Sequence, residues 1–305
     1  MQILAKSALN KEELDCKINI GCDGIEIQLL TELIDGKFGR YKKAEDIKEF
    51  KDLLDYPVKA VHAPLLNYFG MQDINIEEMS RENLPLLDQI FYIANAYGKK
   101  QNIKVLVIVH TETYLDKLLL QQDAWNQLVS AIGGLLFKYP YTEIGIENVT
   151  PICSINSDCI HLCSGFYKDN VEIVKRLRET LNTDRVGTVL DTCHAMITKK
   201  YMDAIYKELL GKENSDFNLS KFFKINKDYI KLVHLADAKG NGFGHDNHGV
   251  EFNSDNIRKL EEIISYYNLY GYDCPITLEI REDNYLICEG YKVTKETLRE
   301  VLSRE

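Results

Sequence analysis

The chain has 305 residues, of which 45% are hydrophobic and 28% charged, enough apolar material for a large core and too much for a disordered tail. Its 37 basic and 47 acidic side chains leave a formal net charge of −10, so no general cationic field draws it onto nucleic acid or an anionic membrane. No apolar run approaches the roughly 20 residues that span a bilayer, and MQILAKSALN lacks the charged, apolar and small-residue regions of a secretory signal. A cytoplasmic protein without membrane contact is therefore expected, with reduced and mostly buried thiols on its eight cysteines.

Eight β-rich runs follow one another: residues 2–7, 24–30, 58–64, 104–110, 143–149, 186–192, 230–237 and 275–281. Most are nearly continuous in Val, Ile and Leu, as strands covered on both faces must be. Amphipathic helix patterns separate them near 44–54, 83–97, 119–137, 168–182, 199–211 and 254–269; in the second of these Leu87, Ile90, Ala94 and Tyr97 recur at steps of three or four. Eight β-then-α units in one chain without a linker predict a single-domain (β/α)8 TIM barrel over 1–305. A doubly wound sheet is the alternative, but the residues after the first strand, LAKSALNKEE, contain no glycine for a dinucleotide turn.

The seven histidines are placed non-randomly. His62 and His110 close their strands, His194 lies just past the sixth, His234 lies within the seventh, and His248 sits in the loop after it. Glu147, Asp191, Asp246 and Glu279 stand at the same level. The C-terminal strand ends of a barrel converge on one mouth, so these nine groups are expected to face a common point. Free ions at that density would repel. Divalent cations relieve the repulsion, and a mixed His and carboxylate donor set suits zinc, manganese or iron better than calcium.

VHAPLLN (61–67), IGIEN (144–148), VGTVLDTCHA (186–195), IKLVHLADAK (230–239) and LEI (278–280) together resemble the xylose-isomerase-like barrel superfamily, and within it the endonuclease IV-type apurinic/apyrimidinic endonucleases. The resemblance implies up to three zinc ions. His62, His110 and Glu147 would hold the first. Glu147 would bridge to a second, completed by Asp191, His234 and Glu279, while His194, Asp246 and His248 would hold the third. His245 is the substitute where GNGFGHDNHGVEF allows another alignment. The implied activity is hydrolysis of a phosphodiester, including abasic sites in DNA, with Glu147 orienting or deprotonating a metal-activated water.

The chain departs from that family where a DNA enzyme would open the duplex. Leu65 follows HAP in place of tyrosine, TELIDGKFGRYKK replaces an Asn- and Gln-containing segment ending in Trp, and Lys6 and Ser7 stand where a histidine is usual. Expelling a base costs a few kcal/mol, met elsewhere by inserted side chains. Lys37, Arg40, Lys42 and Lys43, interleaved with Phe38 and Tyr41, read more simply as a solvated helix start than as a strand-binding loop.

The same superfamily offers a second reading, a sugar or sugar-phosphate isomerase or epimerase. There Glu147, Asp191, His234 and Glu279 would hold one manganese or magnesium, with Glu147 and Glu279 as the acid/base pair, His194 touching substrate and Lys239 able to do so. A third reading is an idle metal-binding scaffold. Among lesser features, Cys153, Cys159, His161 and Cys163 lack the regular spacing of a zinc knuckle. Cys193 reads as a small buried neighbour of the ligands, Tyr266, Tyr267, Tyr270 and Tyr272 as packing, and Asp237 and Lys239 as groups that orient His234.

Overall fold

The computed structural model describes residues 1–30, 32–35, 40–47, 50–64, 83–110, 122–149, 167–211, 218–239 and 248–304. The eight β-rich runs all form strands: β1 (Ile3–Ala8), β2 (Gly24–Gln28), β3 (Val58–His62), β4 (Val105–His110), β5 (Thr142–Glu147), β6 (Val186–Asp191), β7 (Ile230–Leu235) and β8 (Ile276–Leu278). They close a parallel barrel in sequence order, β8 returning to pair with β1 through Ile3↔Ile276 and Ala5↔Leu278. Eight helices surround it among the described residues: α1 (Lys11–Asn19), α2 (Asn83–Gln101), α3 (Gln122–Lys138), α4 (Tyr167–Leu181), α5 (Thr192–Leu210), α6 (Leu219–Asn226), α7 (Ile257–Leu269) and α8 (Glu289–Arg304). None is long and apolar enough to cross a membrane.

Strand residues alternate between faces, and that period separates two cores. Outward-facing Ile27, Val61, Val107 and Ile146 pack with Leu87, Phe91 and Tyr97 of α2 and Leu128 and Ile132 of α3; a second cluster joins Val233, Leu235 and Ile276 to Phe222, Phe223, Ile263 and Leu298. Inward-facing Leu4, Ala60, Leu106, Ile108, Val189 and Leu232 form a dry plug in the barrel. Gly145 belongs to this plug, because a Cβ there would come within 2.7 Å of Val189 Cγ2. Two residues further along the same strands the inward positions become Lys6, His62, His110, Glu147, Asp191 and His234. The polar layer therefore rests on an apolar floor, which raises the cost of any unbalanced charge above it.

Local rules fix the helix starts nearest the site. Asn10 accepts from Glu13 N at 2.9 Å and the Glu13 carboxylate accepts from Ala8 N at 3.0 Å, a reciprocal cap that turns the chain out of β1. Asp191 Oδ1 accepts from His194 N at 2.6 Å, so α5 begins directly at the end of β6, seven residues before the pattern near 199–211 suggested. The helix expected over 44–54 is instead two 3-10 segments, Ala44–Asp46 and Phe50–Asp55, preceded by a short antiparallel pairing of Ile34–Asp35 with Arg40–Tyr41. The aromatic run packs as expected: Tyr267 and Tyr272 are buried beside Phe223, and Tyr270 Oη meets Ser220 Oγ at 2.8 Å.

Candidate metal centre

Strand register brings the ionisable residues together. His110 pairs with Glu147 across β4 and β5, Asp191 with His234 across β6 and β7, and Gln28 with His62 across β2 and β3. Eight of the nine residues singled out from the sequence meet at the C-terminal mouth: His62, His110, Glu147, Asp191, His194, His234, His248 and Glu279. Asp246 and the substitute His245 lie outside the described residues, as do Cys153, Cys159, His161 and Cys163.

Glu147 is the hub. Its Oε2 lies 3.0 Å from His62 Nε2 and 3.3 Å from His110 Nε2, while its Oε1 lies 3.3 Å from both His194 Nδ1 and His234 Nδ1. Asp191 Oδ2 extends the network to His194 Nδ1 at 3.6 Å and His248 Nε2 at 3.4 Å, and Glu279 Oε2 approaches His234 Nδ1 at 2.7 Å. The potential donors fall into overlapping sets whose members all lie within 4.8 Å of one another: His62, His110 and Glu147; Glu147, Asp191, His234 and Glu279; and Asp191, His194 and His248.

These groups contact one another and converge on shared points. His62 Nδ1 donates to the Ala63 carbonyl at 2.8 Å. Burial and then Lys6 hold this imidazole below its usual range, against the opposing pull of Glu147, and its Nε2 meets Glu147 Oε2 at 3.0 Å. Among the described residues, His110 Nε2, His234 Nδ1 and Glu279 Oε2 are buried with short contacts to one another's neighbours, 2.7 Å between the last two, but without good hydrogen-bond geometry. Buried donor atoms that converge in this way could hold a metal ion.

Electrostatics agree. Four carboxylates, Glu26, Glu147, Asp191 and Glu279, share the layer with one permanent cation, Lys6, which bonds Glu279 Oε1 at 2.5 Å and stands 3.5 Å from Glu26 Oε1. Against the burial that would raise them, His234 and His110 hold Glu147 well below the usual carboxylate range, and Lys6 and His234 do the same for Glu279. Against the burial that would lower it, Asp191 and Glu147 raise His194 to about 9, and Glu26 and Glu279 push His234 well above its ordinary value. Protons thus compensate the carboxylates, and divalent cations would take their place. The residues fit a metal centre.

Two supporting residues lay outside the sequence reading. Glu26, wholly buried in mid-β2, accepts from His234 Nε2 at 2.9 Å and Thr277 Oγ1 at 2.8 Å, which leaves His234 Nδ1 to face the cluster. Asn148 pairs with the backbone of Asp191 in both directions, at 2.8 and 3.0 Å, and its carbonyl meets His194 Nδ1 at 2.8 Å. The inward period of β2, through Gly24, Glu26 and Gln28, was the signal for Glu26. Asp237 does not orient His234: just past β7 it bonds Lys259 Nζ and Asn256 Nδ2, each at 2.8 Å, and Lys239 is exposed. Cys193 is buried as expected. Of the basic stretch, Lys37 and Phe38 lie outside the described residues and Lys42 and Lys43 are exposed.

A cleft of about 340 Å³ opens beside the cluster, lined in part by Lys6, Gln28, His248, Glu279, Arg281 and Tyr285. It can admit a sugar- or nucleotide-sized group.

A 2-isopropylmalate synthase from Buchnera aphidicola subsp. Cinara cedri (strain Cc) is 22% identical over 254 residues, 81% of this chain; the chain spans about half of that relative, 46% of its length. Two proteins named probable endonuclease 4 also match. The one from Metamycoplasma arthritidis (strain 158L3-1) is 24% identical over 247 residues, 80% of this chain and 72% of that protein. The one from Thermosipho africanus (strain TCF52B) is 29% identical over 216 residues, 68% and 66% respectively. Among solved structures, a D-tagatose 3-epimerase-like protein superimposes with a TM-score of 0.58 at 16% identity, covering 100% of this chain and 99% of its own. The D-psicose 3-epimerase of Clostridium cellulolyticum H10, determined with D-tagatose, gives 0.59 at 10% identity, covering 99% of both chains. At these identities the structures share the fold. The family model described as xylose isomerase-like TIM barrel matches residues 18–303, and the chain belongs to that family.

Proposed function

We propose that this protein is a metal-dependent phosphodiester hydrolase of the endonuclease IV type, and that its mouth holds more than one divalent cation, zinc by preference. The observation that carries the reading is the pair His62 and His110. Both present Nε2 to Glu147 Oε2, at 3.0 and 3.3 Å. A single cation in the quartet Glu147, Asp191, His234 and Glu279 would leave both imidazoles without work.

His62, His110 and Glu147 would hold one cation, Glu147, Asp191, His234 and Glu279 a second, and His194 and His248, with Asp246, a third. When bound, such cations supply Lewis acidity, neutralising phosphoryl oxygens and lowering the pKa of an attacking water. The protein's own groups do the rest. Glu147, kept ionised by the surrounding imidazoles, would orient that water by accepting a hydrogen bond from it. Lys6 and Arg281 put positive charge on the cleft wall, where a phosphate anion is oriented. The apolar plug below excludes bulk water and strengthens every charge interaction above it. DNA is one substrate of this class; a smaller phosphodiester is the other, since the loop residues that would open a duplex differ from the family's.

A specific observation favours a second reading, ketose epimerisation. The quartet is complete by itself, its four donor atoms lying within 4.8 Å of one another; in this reading Glu147 and Glu279 would act as an acid/base pair on a ketose or its phosphate around one manganese or magnesium. The deciding experiment incubates metal-loaded protein with an abasic-site oligonucleotide, with bis(p-nitrophenyl) phosphate, and with ketohexoses. Phosphodiester cleavage supports the hydrolase. Epimerisation without cleavage overturns it.

A further inference from the structure

On the flank of the barrel, away from the polar layer, α1 packs Cys16 and Lys17 against the segment that joins β8 to α8. Cys16 Sγ lies 3.7 Å from Cys288 Sγ, although the two residues are 272 apart in sequence. Lys17, only 2% exposed, donates to Cys288 Sγ at 2.7 Å and to the Tyr285 carbonyl at 3.3 Å. Among the described residues its hydrogen-bond partners are thus a thiol and a carbonyl, with no carboxylate. The ammonium is placed to balance negative charge that develops on this sulfur. Cys288 also has φ of 56°, a left-handed conformation that favours glycine, and in that conformation its sulfur sits between Lys17 and Cys16.

The two thiols differ in access. Cys16 is partly exposed and lines a cleft of about 1060 Å³ with Glu12, Asp15, Leu286 and Ile287. Cys288 is fully buried, and burial holds its thiol above the ordinary range against the pull of Lys17. An incoming reagent therefore meets Cys16 first.

We propose that Cys16 and Cys288 are a reversible redox pair, oxidised to a disulfide by small neutral organic disulfides that enter the cleft beside α1. Cys16 loses its proton to solvent, and its thiolate attacks one sulfur of the reagent. The reagent's S–S bond breaks, and one half leaves as a thiolate that takes up a proton. Cys288 then loses its proton to solvent while Lys17 compensates the charge. It attacks the Cys16 sulfur, and the second half of the reagent leaves as a thiol. Two protein thiols are oxidised and one reagent disulfide is reduced to two thiols. The bond would tie α1 to the segment carrying Tyr285, which lines the cleft beside Glu279 and His248.

The test incubates the full-length protein with bis(2-hydroxyethyl) disulfide, blocks remaining thiols with iodoacetamide and maps peptides by mass spectrometry without reduction. A Cys16–Cys288 cross-linked peptide, lighter than its two thiol components by two hydrogen atoms and lost on addition of dithiothreitol, is expected. It should be missing in Cys16→Ser, while Lys17→Met should accumulate Cys16 as the mixed disulfide. A wild-type protein in which Cys16 stops at the mixed disulfide, pairs with Cys22, or is alkylated together with Cys288 would overturn the proposal.

Discussion

Glu26→Gln tests whether the carboxylate under His234 sets the competence of the metal centre. Glu26 Oε2 accepts two hydrogen bonds, 2.9 Å from His234 Nε2 and 2.8 Å from Thr277 Oγ1, inside a wholly buried site. Hydrogen bonds to a charged group are worth about 1.5–3 kcal/mol and neutral ones about 0.5–1.5 kcal/mol, so the amide weakens the hold on the imidazole by about 1–2 kcal/mol. Its NH2 group must also face one of the two donors or Lys6. Since 1.4 kcal/mol is a factor of ten, cation affinity should fall by about one order of magnitude. Isothermal titration of zinc or manganese into wild-type protein and variant reads this directly. Part of the loss is the removed charge, and Glu26→Asp separates the two causes: it keeps the charge but withdraws the oxygen from His234. A similar loss in Glu26→Asp supports orientation. Unchanged affinity in both variants, with unchanged thermal stability, would refute the role assigned to Glu26.

Glu147→Gln should abolish turnover under either functional reading, measured on the phosphodiester and on the ketose. His110→Ala should remove at least one bound cation and phosphodiester cleavage while leaving the quartet able to bind one; full hydrolytic activity in this variant would remove the reason for preferring hydrolysis. Because His194 in the metal-free protein is raised to about 9 from an ordinary 6.5, its contribution to stability is present below about pH 6.5 and is lost as pH rises through 9. Cation affinity should run the other way, climbing through the same window with release of protons, which parallel pH series of melting temperature and titration calorimetry will check. Arg185→Ala should cost about 1–3 kcal/mol in chemical denaturation, because the guanidinium donates to the carbonyls of Leu136, Tyr139 and Thr142 at 2.6–2.8 Å; Thr142 still donates to the Tyr139 carbonyl in the variant, while the other two lose these bonds.

The barrel was legible because buried parallel strands have little choice of composition: runs such as VLVIVH and VGTVLD are apolar on both faces and fix their own positions. The mouth was legible because ionisable residues at such strand ends have nowhere else to point. Glu26 and Lys6 were not, since a carboxylate in mid-strand reads as solvent-facing until register with β1 and β3 shows that its face is the barrel interior. Asp237 was misread for the opposite reason. It follows His234 closely, but beyond the end of β7 the chain pairs Asp237 with Val250, and its carboxylate goes to Lys259. Helices α1, α6 and α8 escaped the periodicity reading because each is short or highly charged, and tertiary packing rather than pattern decides them.

The number of cations per chain tests the central claim most directly. Protein reconstituted with zinc at neutral pH, freed of loosely held ions and measured by inductively coupled plasma mass spectrometry, should retain more than one ion, approaching three, and His62→Ala should lower that count. A single ion per chain, unchanged by His62→Ala, would contradict the multi-metal account.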